Sequence, residues 1–185
     1  MSDREENEII RHVCEGSRHE YVLLVNRYKN PVFNLAYRMT GSYDDAEDLA
    51  QEIFAKAFQN LIHFDCNQKF FTWLYTIGLN LIRNHLKKRE RTFTDDPLES
   101  VPVKQLEDKA SGNPERIIMT GQDIRRLNAA LLRLPGVLRE AVLLRFQQGL
   151  NFNDIADLTG ISQSAAKMRV YRGLEKLREL MEGDT

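Results

Sequence analysis

The sequence predicts an all-α protein: two small helical domains joined by a flexible linker, the second domain containing a helix-turn-helix. Three observations lead there. Apolar residues recur at steps of three and four over most of the chain, as one face of a helix requires. No strand-like alternation of useful length is present. One stretch, Thr92 to Asn113, has no sustained period and contains Pro97, Pro102, Ser111 and Gly112, the mark of a linker. It leans acidic through Asp95, Asp96, Glu99, Glu107 and Asp108. These boundaries divide the chain into residues 1–91, 92–113 and 114–185.

The elements follow in order. Residues 44–60 place Ala46, Leu49, Ile53 and Ala57 on one stripe that continues to Leu61, and Ser42 or Asp44 can cap its start by accepting from free first-turn amides. Residues 70–90 read as a helix that begins aromatic and ends basic. Asn113-Pro114 suggests a cap followed by a first-turn proline, opening a helix to about residue 133. Leu134-Pro135 interrupts it, and a further helix is expected to run to Gly149. A short helix from about Asn153 ends at Gly160, which supplies the left-handed turn that other L-residues resist. Ser162 then caps a last helix reaching about Met181.

Composition narrows the function. Hydrophobic residues make up 42% and charged residues 29% of the 185-residue chain, the balance of a globular protein. No apolar run approaches a membrane span. Met1 to Glu8 lacks the basic-then-apolar order of a secretory signal, so a cytoplasmic location is expected. Cys14 and Cys66 stand far apart without a CxxC partner, and His12 near Cys14 does not complete a four-ligand set. Neither a metal nor another cofactor is expected. No paired carboxylates sit beside a His and no phosphate-cradling Gly-rich loop occurs, so an enzyme is not expected either.

The net charge of −1 argues against a chain that coats nucleic acid along its whole length, but the charges are segregated. Asp44, Asp45, Glu47, Asp48 and Glu52 form an acidic block. Arg83, Lys87, Lys88, Arg89 and Arg91 form a basic block, and Lys167, Arg169 and Arg172 a second. Separate patches suggest separate partners.

The stretch NFNDIADLTGISQSAAKMRVY, Asn151 to Tyr171, has the order of a helix-turn-helix. On its second helix Ala166, Val170, Leu174, Leu177 and Met181 make an apolar stripe. At about 100° per residue, Ser164, Met168, Tyr171 and Arg172 lie roughly opposite, flanked by Lys167 and Arg169. A helix lying in the major groove needs this division: an apolar back, first turns that meet base edges, and cations for guanine or phosphate.

In the amino-terminal half, Phe64, Phe70, Phe71, Trp73 and Tyr75 lead directly into the first basic block. Aromatic rings beside cations suit single-stranded nucleic acid, whose bases stack while its phosphates are neutralised. Phe70, Trp73, Leu74 and Ile77, spaced three, one and three, read as core. Phe64 precedes the polar run Asp65 to Lys69 and is expected to be an exposed ring.

The strings DAEDLAQEIFAKAF, FTWLYTIGLNLIRNHLKKR, LPGVLREAVLLRF and FNDIADLTGISQSAAKMRVYRGLEKLR, in that order, resemble the extracytoplasmic-function (ECF) σ factors of bacterial RNA polymerase. The resemblance spans nearly all of the chain except the linker and the first residues. It implies that Asp48, Gln51 and Glu52 contact the clamp coiled coil of the β′ subunit of core RNA polymerase. It implies that Phe64 and Asn80 shape a pocket for a base flipped from the minus-ten element, and that Arg83, Lys87, Lys88 and Arg89 run along promoter DNA. Ser164, Lys167, Met168, Arg169, Tyr171 and Arg172 then fall on the helix that reads the minus-thirty-five element. Many relatives are held inactive by an anti-σ factor, which makes such a protein a further candidate partner.

The match has departures. Ser162-Gln163-Ser164-Ala165-Ala166-Lys167-Met168-Arg169 stands where relatives often have Ser-x-Gly-Thr-Val-Lys-Ser-Arg, and Asp65-Cys66 replaces a common Arg-Gly. The alternative is a helix-turn-helix regulator that does not bind polymerase as a σ factor. It accounts for residues 151–181 but leaves the acidic string and the aromatic-basic segment unexplained.

Overall fold

A computed structural model describes residues 2–95 and 121–183. Helix α1 (Asp3–Cys14) opens with a reciprocal cap: the Ser2 hydroxyl accepts from the Glu5 amide, and the Glu5 carboxylate accepts from the Ser2 amide. Helix α2 (Tyr21–Thr40) carries Pro31 in its interior, so it lacks one backbone donor there. Helix α3 (Tyr43–Asn60) starts at Ser42, whose hydroxyl accepts from the Asp45 amide at 3.2 Å. A 3₁₀ turn (Leu61–His63) and a loop lead into α4 (Phe70–Asp95). The second unit comprises α5 (Gly121–Arg133), α6 (Gly136–Val142), α7 (Phe152–Thr159) and α8 (Gln163–Gly183). Among the described residues there is no strand.

In the first unit α2, α3 and α4 pack around Leu24, Leu35, Met39, Ile53, Leu74, Leu79 and Ile82, all buried. The expected stripe of α3 is buried in full: Ala46, Leu49, Ile53, Ala57 and, one turn on, Leu61. Helix α1 is fastened by a buried carboxylate. Glu6 accepts from Tyr28 Oη at 2.6 Å and pairs with Arg27 Nε at 2.8 Å. A buried charge is tolerable where such partners replace water. Burial, and then the bond to Glu6, push the Tyr28 hydroxyl well above the ordinary phenol range.

Three departures from the sequence reading stand out. Helix α4 runs to Asp95 rather than ending near residue 90, because no breaker precedes Pro97, which disfavours helix only at the residue before it. The helix expected to reach Gly149 stays α-helical only to Val142 and then widens into a π turn (Leu143–Gln147), where the Gln148 amide donates to the Leu143 carbonyl. Met181 is exposed, so the buried stripe of α8 consists of Ala166, Val170, Gly173 and Leu177, with Leu174 partly covered. The expected opening at Asn113-Pro114 lies outside the described residues.

Candidate polymerase and nucleic-acid surfaces

Helix α3 turns its buried stripe to the core, which leaves Asp48, Gln51 and Glu52 on its outer face, all exposed. Glu52 Oε1 sits 3.4 Å from Lys56 Nζ, one turn on. The same face continues through Ala55 to the exposed Phe58 and Ile62. An acidic half-turn followed by apolar side chains is a surface suited to a protein partner with a basic, partly apolar helix.

Phe64 is buried, 8% exposed, which corrects the expectation of an exposed ring. Its ring packs edge-on to Phe70 at 5.6 Å and against Trp73 at 5.2 Å. The reason is local. The Asp65 carboxylate accepts from the Asn67 amide at 2.9 Å, and the Gln68 amide donates to the Asp65 carbonyl. This Asx turn reverses the chain just after Phe64 and drops the ring inside. Trp73 and Ile77, read as core, are only partly covered. They line an open pocket of about 400 Å³ together with Lys56, His63, Asn80 and Asn84. Asn80 is exposed there, while Phe64 supports the pocket from below through Trp73.

The basic end of α4 is not uniformly open. Arg83 Nε donates to Glu140 Oε2 at 2.9 Å and Arg83 Nη2 to Glu140 Oε1 at 2.5 Å, so both oxygens of a second-unit carboxylate are engaged. The bond to Glu140 raises the already high pKa of Arg83. Arg89 Nη1 lies 3.3 Å from Asp45 Oδ2, on which His85 also converges at 3.4 Å. Lys87 and Lys88 are exposed.

In the second unit α7 and α8 meet through Gly160, whose φ of 67° makes the left-handed turn. Asn151 caps α7, accepting from the Asn153 and Asp154 amides, and the Ser162 hydroxyl accepts from Ala165 N at 3.2 Å at the start of α8. Ser164, Lys167, Met168, Tyr171 and Arg172 are exposed on the outer side of α8, with Met168 at 51% and Tyr171 at 54%. Arg169 is partly covered. Lys167 Nζ stands 5.9 Å from the centre of the Tyr171 ring, which itself leans toward Phe152 of α7. The structure thus brings five of the six expected reading residues onto one open face.

Known proteins can be set against this geometry. Residues 24–92 match the model of Sigma-70 region 2, and residues 124–177 match that of Sigma-70 region 4. The ECF RNA polymerase sigma factor SigW of Bacillus subtilis is 30% identical over 174 residues, covering 92% of this chain and 93% of that protein. The ECF RNA polymerase sigma-E factor of Escherichia coli is 28% identical over 173 residues, covering 91% and 90%. Among solved structures, the sigma factor RpoE from Bartonella quintana, crystallised with the anti-sigma factor NepR, has a TM-score of 0.72 at 25% identity, covering 90% of this chain and 99% of that one. CnrH in complex with the cytosolic domain of CnrY has a TM-score of 0.71 at 22% identity, over 96% and 97%, a likeness of fold.

An all-helical chain carrying both a Sigma-70 region 2 and a Sigma-70 region 4 is a promoter-recognition subunit of bacterial RNA polymerase. Within that class the chain belongs to the ECF family, as an alternative σ factor that directs polymerase to promoters.

Proposed function

We propose a division of labour within this σ factor. Asp48, Gln51 and Glu52 dock on the β′ clamp coiled coil of core polymerase. The pocket edged by Asn80 and Trp73 takes an unstacked base of the minus-ten element, with Lys87, Lys88, Arg89 and, once freed, Arg83 along the phosphates. Ser164, Lys167, Met168, Tyr171 and Arg172 read the minus-thirty-five element, with Arg169 beside them. Residues 1–91 and 114–185 act as the two functional domains and residues 92–113 as the tether. Linking two modest DNA contacts through one chain raises their joint affinity by effective concentration. Capturing unstacked bases offsets part of the few kcal/mol that each unstacked step costs.

The observation that carries this reading is the pairing of an exposed acidic face on α3 with an open, cation-edged face on α8 in one chain. The chain works by binding and selection in the cytoplasm, with no reaction of its own. No described helix is long and apolar enough to cross a membrane. The RpoE chain from Bartonella was solved with an anti-sigma factor, and a partner of that kind is proposed for this chain, with control of a stress or envelope response.

The docking assignment is tested by Asp48→Arg combined with Glu52→Arg. Reversing both charges turns attraction into repulsion, on the order of several kcal/mol, and core polymerase should no longer co-elute while circular dichroism is unchanged. Normal co-elution with an intact fold would move the docking surface elsewhere.

A further inference from the structure

The face that α8 turns to solvent is not uniformly polar. The buried residues Ala166, Val170, Gly173 and Leu177 fix the rotation of the helix. At about 100° per residue, Met168 is the residue of the first two turns that points most nearly away from that stripe, and it is 51% exposed. Ser164 and Arg172 lie one turn before and one turn after it, and Tyr171 stands beside it, three residues on. The exposed cations Lys167 and Arg172 flank the group. The Tyr171 ring is held in place: Lys167 Nζ lies 5.9 Å from its centre and the Phe152 ring of α7 6.3 Å away, with the Arg145 guanidinium 5.1 Å from Phe152 in turn. Met168 instead reaches into solvent. An apolar side chain kept in water at the centre of a cation-edged face has its burial still to make.

We infer that Met168 reads thymine: its thioether packs on the C5-methyl group of one thymine in the major groove of the minus-thirty-five element, and so makes T·A the preferred pair at that position. The inference rests on the reading of α8 as the recognition helix and goes beyond it by naming the base. In the major groove the four base pairs present donors, acceptors and one kind of methyl group, and that methyl belongs to thymine. Ser164, Lys167, Arg169, Tyr171 and Arg172 each carry a hydrogen-bond donor, whereas the thioether of Met168 is only a weak acceptor. Set against guanine O6 and N7 or the cytosine amino group, Met168 would strip water from polar atoms and return no bond, which costs free energy. Set against the methyl, two apolar surfaces leave water together. Discrimination thus comes from a gain with thymine and a penalty with the G·C pairs. The flanking cations supply the contacts that hold the helix in register while Met168 does so. The gain is that of about one buried methyl, or about threefold to fourfold in affinity.

The test uses holoenzyme reconstituted from core polymerase and the full chain. Selection from a pool of random duplex DNA defines the upstream element, in which at least one thymine is expected at a fixed position. Each thymine there is then replaced singly by deoxyuridine, which keeps every hydrogen-bonding group and removes only the methyl. One such replacement should weaken binding about threefold to fourfold in competition with the parent duplex. Met168→Leu, still apolar, should keep that difference. Met168→Ser should abolish it, so that the thymine and deoxyuridine duplexes bind alike, while discrimination at the other positions stays. The substituted site is exposed, and circular dichroism and co-elution with core polymerase check that each variant is folded. An element without a fixed thymine, thymines indifferent to loss of the methyl, or a sensitivity that survives Met168→Ser would overturn the assignment of Met168 and leave α8 as the reading helix. Scrambling the whole upstream element separates the two readings: wild-type holoenzyme that binds the scrambled duplex as well as the selected one would overturn the role of α8, and that of Met168 with it.

Discussion

The two basic surfaces of this σ factor are built on opposite terms. On α8 the cations Lys167 and Arg172 and the large side chains Met168 and Tyr171 stand open to solvent, and their helix is anchored by a stripe on its other side. On α4 two of the cations are already engaged by carboxylates of neighbouring helices: Arg83 is held by Glu140 of α6, and Arg89 lies against Asp45 of α3. A surface completed within one short segment presents its charges directly, whereas a surface bordered by other helices has part of its charge neutralised by them. The difference teaches that a basic run in sequence measures the potential of a surface and that its available charge is set by the tertiary neighbours.

The largest expected effect separates support from contact at the pocket. Phe64→Ala should lower stability by about 3–5 kcal/mol, because it removes a buried ring from a three-ring cluster and leaves a cavity. Trp73→Ala, at a partly covered ring, should lower stability less and reduce promoter opening more, as followed by permanganate reactivity of the minus-ten strand. Equal losses of stability would mean that both rings are only core. In the second unit, Gly173→Ala should cost about 1–3 kcal/mol in thermal or urea unfolding. A Cβ there would come within 2.6 Å of Val142 Cγ2 and 3.1 Å of the Leu138 carbonyl, so α8 would have to move off α6.

The comparison itself is sharpened by base-specific readout. Arg172→Ala should relax discrimination at one or two positions of a randomised minus-thirty-five element, by about 1–3 kcal/mol at one base pair. Lys88→Ala should lower the profile evenly, since phosphate carries no sequence information. A uniform loss for Arg172→Ala would reassign it to phosphate and move the reading face toward Lys167, Met168 and Tyr171. The smallest effect is at the surface pair on α3: Lys56→Ala should change stability by no more than about 0.5 kcal/mol, because Lys56 and Glu52 form an exposed i, i+4 pair.

The sequence was most informative where the signal is local. Ser42 at the start of α3, the stripe from Ala46 to Leu61, and the turn at Gly160 lie within a few residues of the structure that they specify, and all are found where periodicity places them. The outer face of α8 follows by rotation from its buried stripe. The polar run after Phe64 suggests an exposed ring, but Asp65 uses that polarity to turn the chain inward. The pocket beside it did leave a signal: Trp73, Ile77, Asn80 and Asn84 recur at steps of four, three and four, and two asparagines on such a stripe mark a face that has left the core. The π turn at Leu143–Gln147 carries no local mark that distinguishes it from continuing α-helix. Arg83 and Glu140 are 57 residues apart, beyond the reach of any periodicity.

That pair also bears on how such proteins can be recombined. Promoter halves read by separate units invite the exchange of one unit between σ factors to rewire transcription, as though each were a cassette. Here positions 83 and 140 lie in different cassettes and have to match, as do Tyr75 and Gln148. A hybrid that inherits Arg83 without its carboxylate would carry both reading surfaces intact and still differ from either parent in how tightly its halves close. Matching residues at this seam is therefore a condition of modular exchange, separate from promoter specificity.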